Sequence, residues 1–133
     1  HIGQDDLPFS VVRSLIPDMM LGLSTHSPQQ FAEAVEAGAD YIGVGPIFAT
    51  TTKENVCAPV GLKYLQYAVQ QQTVMFVAIG GITCETLPAI LHAGARTVAL
   101  VTALTESEDV YDTTKKVVTV YNETIEKIKG ITV

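Results

Sequence analysis

Two helix-like stretches of this chain repeat each other at a single offset. Phe31 and Leu87, Val35 and Leu91, Ala37 and Ala93, Gly38 and Gly94, and Ala39 and Ala95 all stand 56 residues apart. In each stretch the apolar positions fall at i, i+3, i+4 and i+7, one face of a helix: Phe31, Ala34, Val35 and Gly38, then Leu87, Ile90, Leu91 and Gly94. Ser27-Pro28-Gln29-Gln30 reads as a capping box with proline at the first helical position, and Thr83 stands as the cap of the second stretch. Gly38 suits a helix exit. Two strand–helix units of roughly 28 residues give this offset, the unit size of a (β/α)8 barrel that divides about 250 residues among eight units.

The intervening sequence keeps the same alternation. Short runs that are apolar at successive positions occur at residues 19–23, 41–44, 74–79 and 97–101. Such runs are expected of parallel strands covered on both faces. Helix-like patterns follow them. One lies around residues 9–16. Leu62, Leu65, Tyr67, Ala68 and Val69 form a shorter one. The last spans about 108–129, with Val110, Val117, Val118, Tyr121, Ile125 and Ile128 as its inner stripe. Alternation of this kind means α/β: a parallel sheet with helices outside. A doubly wound open sheet also fits, but the repeat and the loop chemistry favour a TIM barrel.

A barrel needs eight strands, and these 133 residues supply about half. The expectation is a single partial domain over residues 1–133, the C-terminal part of a longer protein, running from the end of strand 4 through helix 8. His1-Ile2-Gly3 reads as the last residues of a buried strand.

Hydrophobic residues make up 47% and charged residues 17%, the balance of a globular chain. A formal net charge of −6 without a basic stripe argues against nucleic acid as a partner. It leaves small anions open, since local N–H groups, one lysine or a divalent ion can hold those. No apolar run approaches the roughly 20 residues of a membrane helix. Cys57 and Cys84 lack metal or redox spacing and are expected to be reduced and at least half-buried, as in a cytoplasmic protein. His1, His26 and His92 are scattered, which argues against a His/Cys metal centre. His92 is expected at the surface.

In parallel α/β barrels the loops at the carboxyl ends of strands carry the chemistry. The richest here is Gly45-Pro46-Ile47-Phe48-Ala49-Thr50-Thr51-Thr52-Lys53, where hydroxyls and one ammonium suit phosphate oxygens and equally suit a solvated loop. Gly80-Gly81 and Val101-Thr102 end the last two strands, the pair whose loops often form a barrel's phosphate site. Ser24-Thr25-His26-Ser27 offers a donor in Ser24 and a candidate acid/base in His26, against a structural reading for each. Gln4-Asp5-Asp6 offers hard oxygen ligands for Mg2+, or an N-cap for the helix that starts near Pro8.

Taken together, HIGQDD, LGLSTHS, ADYIGVGPIFATTTK, VAIGGI and AGARTVALVTAL closely resemble the thiamine-phosphate synthase family, whose relative is the thiazole tautomerase. GPIFATTTK is close to that family's G-P-[IV]-[FY]-x-T-x-T-K, and the likeness covers essentially the whole chain. The resemblance implies a (β/α)8 barrel. It implies a reaction that joins an aminopyrimidine methyl diphosphate to a thiazole phosphate, giving thiamine phosphate and pyrophosphate by a largely dissociative path. It matches Asp6 to a Mg2+ ligand, and Ser24 and Lys53 to contacts with the pyrimidine diphosphate. Thr50, Thr52, Gly81, Val101 and Thr102 match contacts with the thiazole phosphate, while Thr51 falls at the variable position.

The partners so implied are small phosphorylated substrates, with no nucleic acid, no membrane and a homo-oligomer left open. The tautomerase branch is associated with a histidine at the position of His26, but it typically loses the Gln-acid-Asp loop and the T-x-T-K pattern, both intact here. A non-catalytic, phosphate-binding half-barrel is the third reading. The family's basic Gln/Arg/Lys cluster and its Asn-Asp pair have no counterpart in this sequence. The 133 residues by themselves are therefore expected to be inactive and poorly soluble.

Overall fold

The computed structural model describes residues 1–52 and 57–130. Four parallel strands lie in sequence order: β1 (Gly22–Thr25), β2 (Tyr41–Val44), β3 (Met75–Ile79) and β4 (Val98–Ala99). Six helices accompany them: α1 (Phe9–Leu15), α2 (Pro28–Glu36), α3 (Gly61–Gln71), α4 (Leu87–His92), α5 (Thr102–Thr105) and α6 (Val110–Gly130). Ile2 adds an isolated parallel bridge to Leu23 on the free side of β1, and His1-Ile2-Gly3 is exposed to half-buried where the end of a buried strand was expected. The α/β reading with a parallel sheet therefore holds.

The 56-residue repeat is a repeat in three dimensions. α2 and α4 both end at a glycine with positive φ, Gly38 at 80° and Gly94 at 108°. Each is followed by an alanine whose N–H reaches back five residues, Ala39 to Ala34 O at 3.0 Å and Ala95 to Ile90 O at 3.3 Å. This helix exit needs a left-handed residue, which glycine supplies without a Cβ penalty.

Side chains alternate between the two faces of the sheet. One face meets the helices. Ile42, Val44 and Ala78 pack there with Phe31 and Ala34 of α2, Leu65 and Ala68 of α3, and Leu87, Ile90 and Leu91 of α4, all buried. Each fully buried Leu or Ile contributes about 1.5–3 kcal/mol. The other face carries Gly22 and Ser24 of β1, Tyr41 and Gly43 of β2, and Met75 and Val77 of β3, paired in register. Met75 on that face is 56% exposed.

Asp40 and Arg13 lock α1 to the start of β1. Asp40 Oδ2 accepts from the Leu21 N–H at 2.7 Å and from Arg13 Nη2 at 2.5 Å, and Arg13 Nη1 donates to Met19 O. These bonds hold the Asp40 carboxyl below its ordinary pKa, the Leu21 amide first and the Arg13 guanidinium second.

Several expectations are corrected. β1 begins at Gly22, because Met19 and Met20 are solvent-exposed approaches to the strand, and it continues through the polar pair Ser24-Thr25. β4 is only two residues long. Val35 is 36% exposed on the flank of α2. On α6, Val110 and Val118 face outward, while Thr124 is buried with its hydroxyl donating to Val120 O, so a threonine fills a place assigned to an apolar stripe. Thr83 Oγ1 accepts from the Glu85 and Thr86 N–H groups, but it does so in a turn that precedes α4. Cys57 is exposed in the long loop after β2, whereas Cys84 is half-buried; neither is paired. α5 was not foreseen.

Candidate functional site

Parallel strands present all their carboxyl ends on one side, so the loops after them meet. Here the carboxyl end of β1 and the loops after β2, β3 and β4 converge on one cavity of about 180 Å³. Ser24, Thr50, Thr52, Gly81, Val101 and Thr102 all line it, together with Pro46, Ile79, Gly80, Ile82 and Ala99. Six residues singled out in sequence are thereby brought to one place from four separate segments. Lys53 lies outside the described residues.

The cavity exists because the loop after β2 folds down onto the end of β3. Ile47 N–H donates to Ile79 O at 2.9 Å and Phe48 N–H to Gly80 O at 3.0 Å. The Gly45–Pro46 bond is cis. The approach leaves no room for side chains beneath it. A Cβ on Gly81 would lie 2.5 Å from Ala49 O and one on Gly80 2.4 Å from Pro46 Cβ, and both residues have positive φ. Gly80-Gly81 is thus more than a turn: it is the floor on which the threonine loop rests.

Thr50 and Thr52 are neighbours on that loop, their hydroxyl oxygens 2.8 Å apart, with the Thr52 N–H also directed at Thr50 Oγ1. Opposite them, the N–H groups of Gly81 and Thr102 take no backbone acceptor among the described residues. The described lining holds no charged side chain. Hydroxyls and open N–H groups around a small space suit an anionic oxygen group.

Ser24 is held from three sides. Its N–H donates to Ile2 O at 2.9 Å, its carbonyl accepts from Gln4 Nε2 at 2.6 Å, and its Oγ lies 2.8 Å from His1 Nε2. The Gln4-Asp5-Asp6 loop is therefore tied to the end of β1. Asp6 does not line the cavity. It does not cap α1 either, whose N-cap is Pro8 without a side-chain bond. Its Oδ2 accepts from the Gly3 N–H at 2.6 Å. Among the described residues no group of three His, Cys, Asp or Glu side chains is placed to hold a metal ion.

His26 also stays out of the cavity lining. Its Nδ1 is 2.5 Å from Gly45 O, which as a carbonyl can only accept, so Nδ1 carries the proton. Ser27 caps α2 through the Gln30 N–H, and Gln30 Oε1 accepts from the His26 N–H, one residue before the N-cap whose N–H a capping box would use. His92 is exposed, as expected. His1 is the residue the sequence reading missed. The available signal was a pair of strand glycines, Gly22 and Gly43, since glycine inside a strand marks a place where something approaches closely.

Comparison with known proteins shows the family of the chain. The sequence pattern of the thiamine monophosphate synthase family matches residues 1–104. A thiamine-phosphate synthase from Pelotomaculum thermopropionicum is 53% identical over 111 residues, covering 83% of this chain and 51% of that protein. One from Synechocystis is 47% identical over 120 residues, covering 90% of this chain and 35% of that protein. Among solved structures, a thiamine phosphate pyrophosphorylase from Pyrococcus furiosus superposes with a TM-score of 0.82 at 30% identity, covering 92% of this chain and 58% of that one. The chain thus spans about half or less of the length of these two curated relatives. With its loops converging on one small anion-suited cavity and its family pattern running from His1 through Leu104, the chain belongs to the thiamine monophosphate synthase family.

Proposed function

We propose that the protein carrying this chain is a thiamine-phosphate synthase. It joins an aminopyrimidine methyl diphosphate to a thiazole phosphate and releases pyrophosphate. The observation that carries this reading is the convergence of Ser24, Thr50, Thr52, Gly81 and Thr102 on one cavity, in a chain of this family. We read the sheet as the C-terminal part of a (β/α)8 barrel. The sheet face opposite the helices, on which Met75 is exposed, is the face that the rest of a barrel covers, and the loops at the carboxyl ends of the strands hold the site, as in barrels generally.

The chemistry follows from the residues. In the coupling, the carbon–oxygen bond to the diphosphate breaks and its electron pair leaves with pyrophosphate. The thiazole nitrogen lone pair then forms the new carbon–nitrogen bond. Little proton transfer is asked of the protein, so a nucleophile–base pair is not needed. What is needed is a stabilised leaving group and a held nucleophile. Ser24 donates its hydroxyl proton to the departing diphosphate, with Lys53 adding a positive charge. Thr50 and Thr52 hydroxyls and the Gly81 and Thr102 N–H groups grip the thiazole phosphate. Val101 adds an apolar wall.

Asp6 fits one ligand position of Mg2+. It is an exposed hard carboxylate, oriented by the Gly3 N–H, and Mg2+ commonly takes one or two carboxylates and completes its shell with water and substrate oxygens. Such an ion would neutralise charge on the leaving diphosphate. No observation favours the tautomerase: His26 donates to Gly45 O and does not line the cavity. Two unpaired cysteines suit a reducing compartment such as the cytoplasm. Among the described residues no helix is long and apolar enough to cross a membrane.

The test is to supply the intact purified protein with both substrates and Mg2+. Equal amounts of thiamine phosphate and pyrophosphate are expected. A folded protein that forms neither would end the proposal.

A further inference from the structure

The His1 imidazole occupies a slot built across β1 and β2. Its ring stacks on Tyr41, with centroids 5.4 Å apart and planes 30° from parallel. A Cβ on Gly22 would stand 2.6 Å from His1 Nδ1, and one on Gly43 would stand 3.2 Å from Cε1. Two glycines on adjacent strands therefore make the room the ring takes. The backbone is held as tightly. Ile2 N–H donates to Gly22 O at 3.0 Å, and Ser24 N–H donates to Ile2 O at 2.9 Å. The result is a fixed distance of 2.8 Å between His1 Nε2 and Ser24 Oγ.

A serine hydroxyl has one proton and two lone pairs. If Ser24 gives its proton to His1, only lone pairs remain to face an anionic oxygen, and those repel it. If His1 is the donor, the serine proton is free to turn toward the cavity. An imidazole with its proton on Nε2 makes that second arrangement. We propose that His1 is a positioning residue: it donates from Nε2 to Ser24 Oγ and so commits the Ser24 proton to the diphosphate substrate. The inference rests on the synthase reading of Ser24.

The experiment uses the intact protein and steady-state kinetics with each substrate varied in turn. His1→Phe keeps an aromatic ring for Tyr41 and removes the donor. A bond to a charged group is at stake, so kcat/KM for the pyrimidine diphosphate should fall about ten- to a hundredfold. The KM for thiazole phosphate should stay near wild type. His1→Gln restores an N–H at a similar reach and should recover most of the loss. In a Ser24→Ala background, His1→Phe should have little further effect, because the proton it directs is gone.

Equal kinetics for His1→Phe and His1→Gln would overturn the inference and leave His1 a packing residue. So would an undiminished effect of His1→Phe in the Ser24→Ala background. Wild-type protein that forms no thiamine phosphate would instead bring down the synthase reading, and this inference with it. Thermal melts of each variant separate loss of fold from loss of direction.

Discussion

The Tyr64 hydroxyl lies 2.6 Å from Thr25 Oγ1, and Thr25 Oγ1 donates to the Gly43 carbonyl at 3.0 Å. Thr25 has a single proton, so Tyr64 is the donor in the first bond. This buried relay pins α3 to β1 and β2 beside Ser24, whose register partner is Gly43. Thr25→Val removes the middle of the relay and leaves the Tyr64 hydroxyl buried without an acceptor, at an expected cost of about 2–3 kcal/mol. Tyr64→Phe removes one donor and leaves Thr25 bonded to Gly43, at about 1 kcal/mol. Urea unfolding of the two variants checks the order, and the reverse order would count against the relay.

The same burial sets an alkaline limit. Burial pushes the Tyr64 phenol up to about 12 from its ordinary 10.0. The folded state therefore keeps a proton that the unfolded chain gives up first. The contribution of protonated Tyr64 is present in full below pH 10 and is lost as pH rises from 10 toward 12. Tyr64→Phe should lack this part of the fall. Melting temperatures of both proteins across that range would show it, and parallel curves would refute it.

Asp40 works in the opposite direction. Its carboxyl is held below 3.8 by the Leu21 N–H and by Arg13. Its contribution is full above that value and disappears as pH falls through the lower, folded-state pKa. Asp40→Asn should therefore melt lower than wild type near neutral pH, and the gap should close in acid. Amide exchange at Leu21 should quicken in the same variant. A gap that stays constant with pH would mean the charge is not what matters.

The sequence revealed most where backbone and side chain obey one rule. The 56-residue repeat survives in the paired exits at Gly38 and Gly94, because a left-handed helix end leaves glycine as its mark. β2 coincides with its expected run, residues 41–44, of which Ile42, Gly43 and Val44 are buried. Legibility failed where tertiary surroundings overrode the pattern. Met19 and Met20 looked like strand and are exposed, whereas Ser24 and Thr25 looked like loop and complete β1. Thr124 packs inward because its hydroxyl is satisfied by the Val120 carbonyl of its own helix. The threonine loop was legible as chemistry, but its resting place on Gly80-Gly81 was not, as nothing local to either segment specifies the other. His1 escaped notice because its partners, Gly22, Ser24, Tyr41 and Gly43, are distant in sequence.

His26 offers a clean choice between two roles. As a donor to Gly45 O it anchors the start of the loop that carries Thr50 and Thr52. His26→Asn keeps an N–H near the position of Nδ1 and should behave much like wild type. His26→Ala should loosen the loop and raise the KM for thiazole phosphate about tenfold, the worth of one bond, with a smaller change in kcat. A collapse of kcat in both variants would instead give His26 a part in proton transfer.

The face of the sheet opposite the helices makes a prediction about the 133 residues in isolation. On it Met75 is 56% exposed, with its register partner Tyr41 half-buried beside it. Strand β1 pairs with only a single bridge on its outer side, at Ile2. An apolar surface beside thinly covered strand edges favours association. The isolated chain should bind a hydrophobic dye strongly, scatter light at micromolar concentration and form no thiamine phosphate. The intact protein should do none of the first two. Met75→Lys should lower dye binding by the isolated chain without unfolding it, because the side chain meets solvent and not the helix-side core. A monomeric, dye-silent and coupling-competent 133-residue chain would show that this face needs no cover and that the half-barrel reading of the sheet is mistaken.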